Sequence, residues 1–177
     1  MLHALNSAPP VTFAPFLGPR TTIDEMIRAL NGPRGERSVR VRSFTERIVS
    51  ELQPKDYFSE ILACRAAVAE KVRYLNDPTT TEWVKDPERL VEEIEANGNA
   101  AADCDEIALL MATMARQIGR DADFVTVGFG VPGNYTHVFT RVLEPKSGVY
   151  IVCDPVAGTN ENKMLARVTT YKIWRTQ

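Results

Sequence analysis

The sequence predicts an α+β fold in which helices come first and an antiparallel sheet follows. Helix-start and helix-stop signals recur through the first half of the chain. The second half carries two segments rich in β-branched and aromatic residues, 136–143 and 149–153, with a turn at 145–148 between them. We therefore expect the sheet to pack on the apolar helix that begins at Cys104.

Two short helices are predicted near the N-terminus. Thr22-x-x-Glu25 forms a capping box that opens the first, and Asn31-Gly32 closes it. Ser43-x-x-Glu46 has the same pattern and opens the second, which Pro54 stops. Their apolar faces are expected to form core.

Two further helices are predicted before the central cysteine. The first runs from Asp56 to about Leu75 and carries an apolar stripe formed by Ile61, Leu62, Val68, Ala69 and Val72. The second has Asp86 as its cap and Pro87 as its first residue, and it ends at Asn97-Gly98.

The helix after Cys104 places a thiol where an anion is stabilised. Asp103 is the expected cap, and Gly119 ends the apolar run as a left-handed residue. Unpaired backbone N–H groups and the helix dipole at such a start favour the thiolate, which is the nucleophilic form of cysteine. The acidic neighbours Asp103, Asp105 and Glu106 oppose this effect, so a cationic histidine partner is needed.

The predicted hairpin brings His137 and Asp154 to one face of the sheet. With the turn centred on Lys146 and Ser147, Leu143 opposes Tyr150 and Phe139 opposes Asp154. His137 and Asp154 are then diagonal neighbours, about 7–8 Å apart at Cα. A register shift of two residues would make them direct neighbours, whereas a shift of one would separate them on opposite faces.

Taken together, these segments resemble the transglutaminase-like cysteine superfamily. The matching elements are Asp103–Glu106 with its apolar helix, Gly119 followed by a strand at 124–128, His137-Val138-Phe139 and Asp154-Pro155. Upstream, residues 72–78, Trp83 and Asp86-Pro87 are similar to the lead-in of bacterial and phage-encoded transglutaminase-like cysteine peptidases. The resemblance covers about residues 61–156.

The resemblance implies a papain-like fold and a catalytic triad. Cys104 would be the nucleophile, His137 the general base and then acid, and Asp154 the group that fixes the imidazole tautomer. Two positions depart from the family pattern: Ala102 stands where glycine is common, and Phe139 where tryptophan is common. An alanine methyl is expected to restrict the backbone where substrate approaches.

The second oxyanion donor is left open by the sequence. The backbone N–H of Cys104 is one expected donor. Candidates for the other are Trp83, Asn97, Asn99 and Tyr135.

The leading functional hypothesis is thiol-dependent hydrolysis or acyl transfer on an amide of a protein or peptide, without a cofactor. The alternative is a catalytically inactive transglutaminase-like module with a structural or assembly role, for which similarity to phage-encoded members suggests a virion component. A third hypothesis, acetyl-coenzyme-A-dependent arylamine acetyl transfer, requires an extra domain for which the chain is too short.

Composition gives no sign of nucleic-acid or membrane binding. The formal net charge is -2, and no apolar run approaches the roughly 18 residues that span a bilayer. The first residues lack a basic region and are interrupted by prolines, which is not typical of a secretory signal. We expect a cytoplasmic protein, or one carried within a virion.

The three cysteines do not have the spacing of a metal site. Cys64 and Cys153 are interpreted as core thiols. A mixed Cys104, His137 and Cys153 metal site is disfavoured, because Cys153 and its neighbour Asp154 should face opposite sides of the strand.

The expected domain organisation is a proline-rich arm, residues 1–20, followed by a single domain, residues 21–177, with its core at about 56–160. The arm is expected to dock on its own domain, on another subunit or on other virion proteins, or to be a disordered terminus. The basic cluster between Arg34 and Arg42 is interpreted as a solvated face rather than a nucleic-acid site.

Overall fold

The computed structural model describes residues 11–13, 19–76 and 82–176. Its α-helices are α1 Pro19–Leu30, α2 Val39–Val49, α3 Tyr57–Lys71, α4 Pro87–Asn97, α5 Cys104–Gln117 and α6 Glu161–Leu165. Its strands are β1 Val11–Phe13, β2 Val72–Tyr74, β3 Glu82–Val84, β4 Ala100–Ala102, β5 Ala122–Gly128, β6 His137–Glu144, β7 Val149–Cys153 and β8 Thr170–Arg175. None of the described helices is long and apolar enough to cross a bilayer.

Helix α5 is the centre of the hydrophobic core. Every residue from Asp105 to Ala115 is buried, because helices α1 to α4 pack around it and strand β6 lies across it. The Thr140 hydroxyl on β6 donates a hydrogen bond of 2.6 Å to the Ala108 carbonyl oxygen of α5. Helix α5 is therefore held between the other helices and the main sheet.

The main sheet is antiparallel, with strand order β7-β6-β5-β8. This arrangement confirms the predicted α+β fold, with helices first and the sheet packed on the Cys104 helix. Leu143 pairs with Tyr150, as the hairpin turn predicts. The β6–β7 ladder ends at the pair Thr140–Cys153, so Asp154 lies just beyond the last paired residue.

A short parallel pair of strands, β2 and β4, lies outside this sheet and was not expected. The predicted helix from Asp56 to about Leu75 is wrong at its end, because the chain leaves α3 after Lys71 and enters β2. There Val72 pairs with Ala100 and Tyr74 with Ala102. Strand pairing with residues just before the cysteine overrides local helix propensity.

The first two helices begin earlier than their capping-box patterns predict. Helix α1 starts at Pro19, because proline is favoured in the first turn, and Thr22 lies inside it. Helix α2 is capped by Ser38, whose hydroxyl oxygen accepts the Val41 N–H at 3.2 Å, so Ser43 is interior. It ends at Val49, before Pro54 is reached.

Arg34 and Arg40 of the basic cluster form ion pairs with carboxylates of the same chain. Arg34 contacts the carboxylates of the α4 cap residue Asp86 and of Glu88 and Glu92 within α4, at 2.9, 3.0 and 3.5 Å. Arg40 contacts Glu95 of the same helix at 3.2 Å. These ion pairs join the α1–α2 connection and α2 to α4.

Of the proline-rich arm, residues 1–10 and 14–18 lie outside the described residues. Strand β1 belongs to the arm and pairs in antiparallel register with β3, Val11 opposite Val84. Helix α1 already includes Pro19 and Arg20.

Gly128 at the end of β5 is predicted to tolerate no side chain. A Cβ there would lie 2.0 Å from the Asn134 carbonyl oxygen and 2.9 Å from Thr170 Cγ2, whereas a Cβ at Gly130 would meet nothing within 4 Å. We expect Gly128→Ala to lower the free energy of unfolding by about 1–3 kcal/mol, the usual cost of overpacking. Gly130→Ala is the matched control, and urea unfolding measures both. Equal midpoints for the two variants would contradict the prediction.

Candidate active site

Cys104 is the first residue of α5 and is partly exposed. The cap at this helix start is reciprocal. The Asp103 carboxylate accepts the backbone N–H groups of Asp105 and Glu106, while Glu106 accepts the backbone N–H of Asp103. The predicted cap at Asp103 is confirmed, and the thiol is held where the helix N-terminus meets solvent.

Lys85 contacts the Glu106 carboxylate of this cap. Glu106 is almost fully buried, and its carboxylate accepts the Lys85 backbone N–H at 2.9 Å with the Lys85 ammonium 3.8 Å away. The same ammonium donates to the Ala101 carbonyl oxygen of β4 at 2.6 Å. A buried carboxylate beside Cys104 is thus compensated by a cation and by backbone donors.

His137 and Asp154 form a hydrogen-bonded pair. Nε2 of His137 lies 2.7 Å from Oδ2 of Asp154, and the two side chains are 13% and 1% exposed. The predicted diagonal pairing across the hairpin therefore brings the two groups into direct contact. Because Nε2 is used by Asp154, Nδ1 is the ring nitrogen left for Cys104.

The surroundings of His137 favour its cationic form. Burial lowers the pKa of His137, but hydrogen bonds to Asp154 and Cys104 and the charges of these two residues outweigh burial and raise the pKa to about 9. Because Cys104 contributes to this rise, its thiol lies near the imidazole. The structure brings all three predicted site residues together.

The Asp154 carboxylate is fixed by the turn that follows it. Its Oδ1 accepts the backbone N–H groups of Val156 and Ala157 at 3.0 and 3.1 Å. Oδ2 contacts His137, so each of the two oxygens has its own hydrogen-bond partners. The Asp154 orientation is set by backbone donors rather than by the imidazole alone.

Arg65 and Glu161 form an ion pair near Asp154. Glu161 pairs with Arg65 at 2.7 Å. Arg65 also donates to the Gly158 carbonyl oxygen at 3.1 Å. Burial raises the pKa of Glu161, and the charge of Asp154 adds to the rise against the opposing effect of Arg65.

The other two cysteines are buried in the core, as expected. Burial raises the pKa of both Cys64 and Cys153 to about 12. In the described ranges, no group of three or more His, Cys, Asp or Glu side chains has the arrangement of a metal site.

The two departures from the family pattern have different outcomes. Ala102 is 2% exposed within the β2–β4 pair, so its methyl group is covered by protein and does not narrow the approach of a substrate. Phe139 is buried in a small second cluster with Val125 and Val127. Its ring centroid lies 6.2 Å from that of His137, so it packs beside the imidazole.

The four side chains considered for the second oxyanion donor lie in different places. Trp83 is half-buried in β3, and Asn97 and Asn99 are exposed at the end of α4 and before β4. Tyr135 is half-buried in the loop that leads to His137. The contacts described for these residues do not assign the second donor to any one of them.

Three residues that lie next to the site were not predicted from the sequence. Lys85, Arg65 and Glu161 act on the site through contacts between residues far apart in the chain, 21 positions for Lys85 with Glu106. Of their partners, only Glu106 gives a local signal, since it occupies the third helical position of a capping box.

We predict that the His137 imidazole titrates near pH 9 and that Asp154→Asn lowers this value more than Cys104→Ala does, because the Asp154 hydrogen bond is the largest raising contribution. Two-dimensional ¹H–¹⁵N spectra of the imidazoles measure it. The chain has two histidines, so the variant His3→Gln assigns the signals. A His137 pKa near 6.5 in the wild-type protein would refute the described geometry.

The same pair is predicted to make stability depend on pH in a defined direction. Because folding raises the pKa of His137, its stabilisation is complete below the unfolded value of about 6.5 and is lost as pH rises through about 9. The stability advantage of wild type over His137→Gln should fall by at most about 3 kcal/mol between pH 6 and 10. Urea unfolding of both proteins measures it, and a constant difference would contradict it.

Comparisons with known proteins agree with this architecture. The structure is similar to a candidate protease from Parabacteroides distasonis ATCC 8503, with a TM-score of 0.53, 14% identity and coverage of 77% of this chain. It is also similar to a candidate cysteine protease from Cytophaga hutchinsonii, with a TM-score of 0.54, 14% identity and coverage of 93%. The chain spans 26% and 57% of the lengths of these two proteins.

Comparison with curated proteins gives no match. The model of the transglutaminase-like superfamily core, in contrast, matches residues 42–155, more than half of the chain. This match spans Cys104, His137 and Asp154. The chain belongs to the transglutaminase-like superfamily.

Proposed function

We propose that this protein is a thiol-dependent enzyme that cleaves or exchanges an amide bond, with Cys104, His137 and Asp154 as its triad. The observation that carries the proposal is the convergence of a partly exposed helix-start thiol with an imidazole whose other nitrogen is held by a buried carboxylate. Family membership supports the same class of chemistry.

The protonation state of His137 sets the first step. An imidazole with a pKa of about 9 is a cation at neutral pH, and a histidinium beside a thiol favours the thiolate. Cys104 Sγ attacks the carbonyl carbon of the amide. The histidinium then gives its proton to the leaving amine, and a thioester remains on Cys104.

The second step reverses the role of His137. The neutral imidazole takes a proton from water or from an incoming amine, which attacks the thioester carbon and releases Cys104. Asp154 keeps Nδ1 directed at the sulfur by holding Nε2, and it stabilises the histidinium when it re-forms. Water as acceptor makes the protein a peptidase, and an amine makes it a cross-linking enzyme.

Developing charge on the carbonyl oxygen requires hydrogen-bond donors. As the first residue of α5, Cys104 has no helical carbonyl partner for its backbone N–H. A carbonyl carbon bonded to Sγ places its oxygen near this group. We propose the Cys104 N–H as one oxyanion donor.

The assembled site favours an enzyme over the structural-module hypothesis. A buried carboxylate is costly unless it is paired, and here its partner is the imidazole that lies beside the partly exposed Cys104 thiol. Here Asp154 is 1% exposed, and each of its oxygens has a partner. We propose a protein or peptide as substrate, as in the leading sequence-based hypothesis.

We predict that iodoacetamide at pH 6 to 7 alkylates Cys104 at least about tenfold faster than it alkylates glutathione, because a histidinium partner increases the thiolate fraction. His137→Ala should remove the advantage. Stopped reactions analysed by intact mass and peptide mapping measure the rate and the site.

The same experiment contains its own control. Cys64 and Cys153 are fully buried and their pKa values are raised to about 12, so the folded protein should take up one label, and Cys104→Ala none. A wild-type rate equal to that of glutathione would reject Cys104 as an activated nucleophile.

A further inference from the structure

Thr140 is a polar residue in an otherwise apolar contact between strand β6 and helix α5. Side chains alternate along a strand, so Thr140 lies on the same face of β6 as Val138 and Val142, which belong to the core around α5. All three are buried, and Thr140 is 0% exposed. A buried hydroxyl is costly unless it is hydrogen-bonded, and a valine would fill similar space without that cost. What distinguishes Thr140 from its two neighbours is therefore its hydrogen bond.

The Thr140 hydroxyl joins the two elements that carry the nucleophile and the base. It donates to the Ala108 carbonyl oxygen of α5 at 2.6 Å, and Ala108 lies about one helical turn after Cys104. On the other side of the bond, Thr140 lies three residues after His137, the first residue of β6. The bond is a direct link between the helix that holds Cys104 and the strand that holds His137.

This bond lies at the point where the main sheet narrows. Thr140 pairs with Phe124 of β5 on one side and with Cys153 of β7 on the other. The β6–β7 ladder ends at this level, so in the described strands the residues before Thr140, including His137, pair with β5 only. Asp154 follows Cys153 directly. The Thr140 hydroxyl thus holds α5 against the level of the sheet from which both acid–base residues extend.

We propose that Thr140 is a positioning residue, whose hydrogen bond to Ala108 fixes the separation between the Cys104 sulfur and the His137 imidazole. This inference rests on the proposed function and adds a residue that acts through the triad without touching substrate. Catalytic groups must lie within about 0.5 Å of the productive geometry, and a displacement of about 1 Å can cost about a hundredfold in rate. Without the hydroxyl, apolar contacts hold α5 and β6 together at this level, and such contacts are not directional.

Thr140→Val removes the hydroxyl and retains the branched shape. The Ala108 carbonyl keeps its helical partner, the backbone N–H of Ala112, so the substitution leaves no buried group unpaired. We expect iodoacetamide to alkylate Cys104 about tenfold more slowly in this variant at pH 6 to 7, because a misplaced imidazolium stabilises the thiolate less. At pH 9.5, where a free thiol is mostly ionised, the two rates should agree within about threefold. Loss of free thiol, followed from pH 5 to 10, measures this profile.

Thr113→Val is the matched control. Thr113 is equally buried and its hydroxyl donates to the Leu109 carbonyl oxygen at 2.8 Å, but both residues belong to α5, so this bond does not join two elements. The variant should keep the wild-type profile within about twofold, because the imidazole is not displaced. Urea unfolding of both valine variants measures their stability separately. Equal slowing of alkylation in the two variants would overturn the proposal.

A second pair of variants separates the hydroxyl from the methyl group, and it serves also if Thr140→Val does not fold. Thr140→Ser retains the hydroxyl and Thr140→Ala removes it, while both lack the methyl group. At pH 6 to 7 we expect the serine variant to react within about threefold of wild type and the alanine variant about tenfold more slowly. Equal rates for serine and alanine would refute the role of the hydroxyl.

The remaining outcomes separate this inference from the proposed function. If wild type reacts faster than glutathione at pH 6 to 7 and Thr140→Val reacts as fast as wild type, only the positioning role of Thr140 is refuted. If wild type reacts no faster than glutathione, the proposed function fails, and this inference fails with it.

Discussion

The reciprocal cap between Asp103 and Glu106 is the interaction on which the site depends. It fixes the first turn of α5 and therefore the direction in which Cys104 leaves the helix. It also gives the carboxylates of Asp103 and Glu106 backbone N–H donors, and Lys85 adds a cation beside Glu106. The charges of Asp103 and Glu106 are therefore compensated within the protein, and His137 supplies the cation that the thiol itself requires.

The other half of the site is organised around Asp154 in a comparable way. One carboxylate oxygen is committed to the turn at 156–157, and the other to His137. The Arg65–Glu161 pair then ties this turn to α3 and α6. The nucleophile and the acid–base pair thus reach one point from opposite halves of the fold, each held by backbone hydrogen bonds that leave the reacting atoms free to contact substrate.

Much of this was predictable, because the decisive signals are local. The cap at Asp103, the helix after it and the hairpin register depend on residues within a few positions, so the pairing of Leu143 with Tyr150 and the contact of His137 with Asp154 follow from counting. Strands β2 and β4 could not be predicted, since each has three residues and is defined by its distant partner.

Strand β8 has a consequence for how the chain folds. It follows the triad residues in sequence, yet it pairs with β5, joining residues such as Thr126 and Lys172 that are 46 positions apart. During synthesis the triad residues leave the ribosome before residues 170–175, and until those arrive β5 presents an unpaired edge with apolar side chains on it. Such an edge is a template for pairing with another chain. Aggregation is therefore expected to compete with folding until this long-range pairing of β5 with β8 has formed.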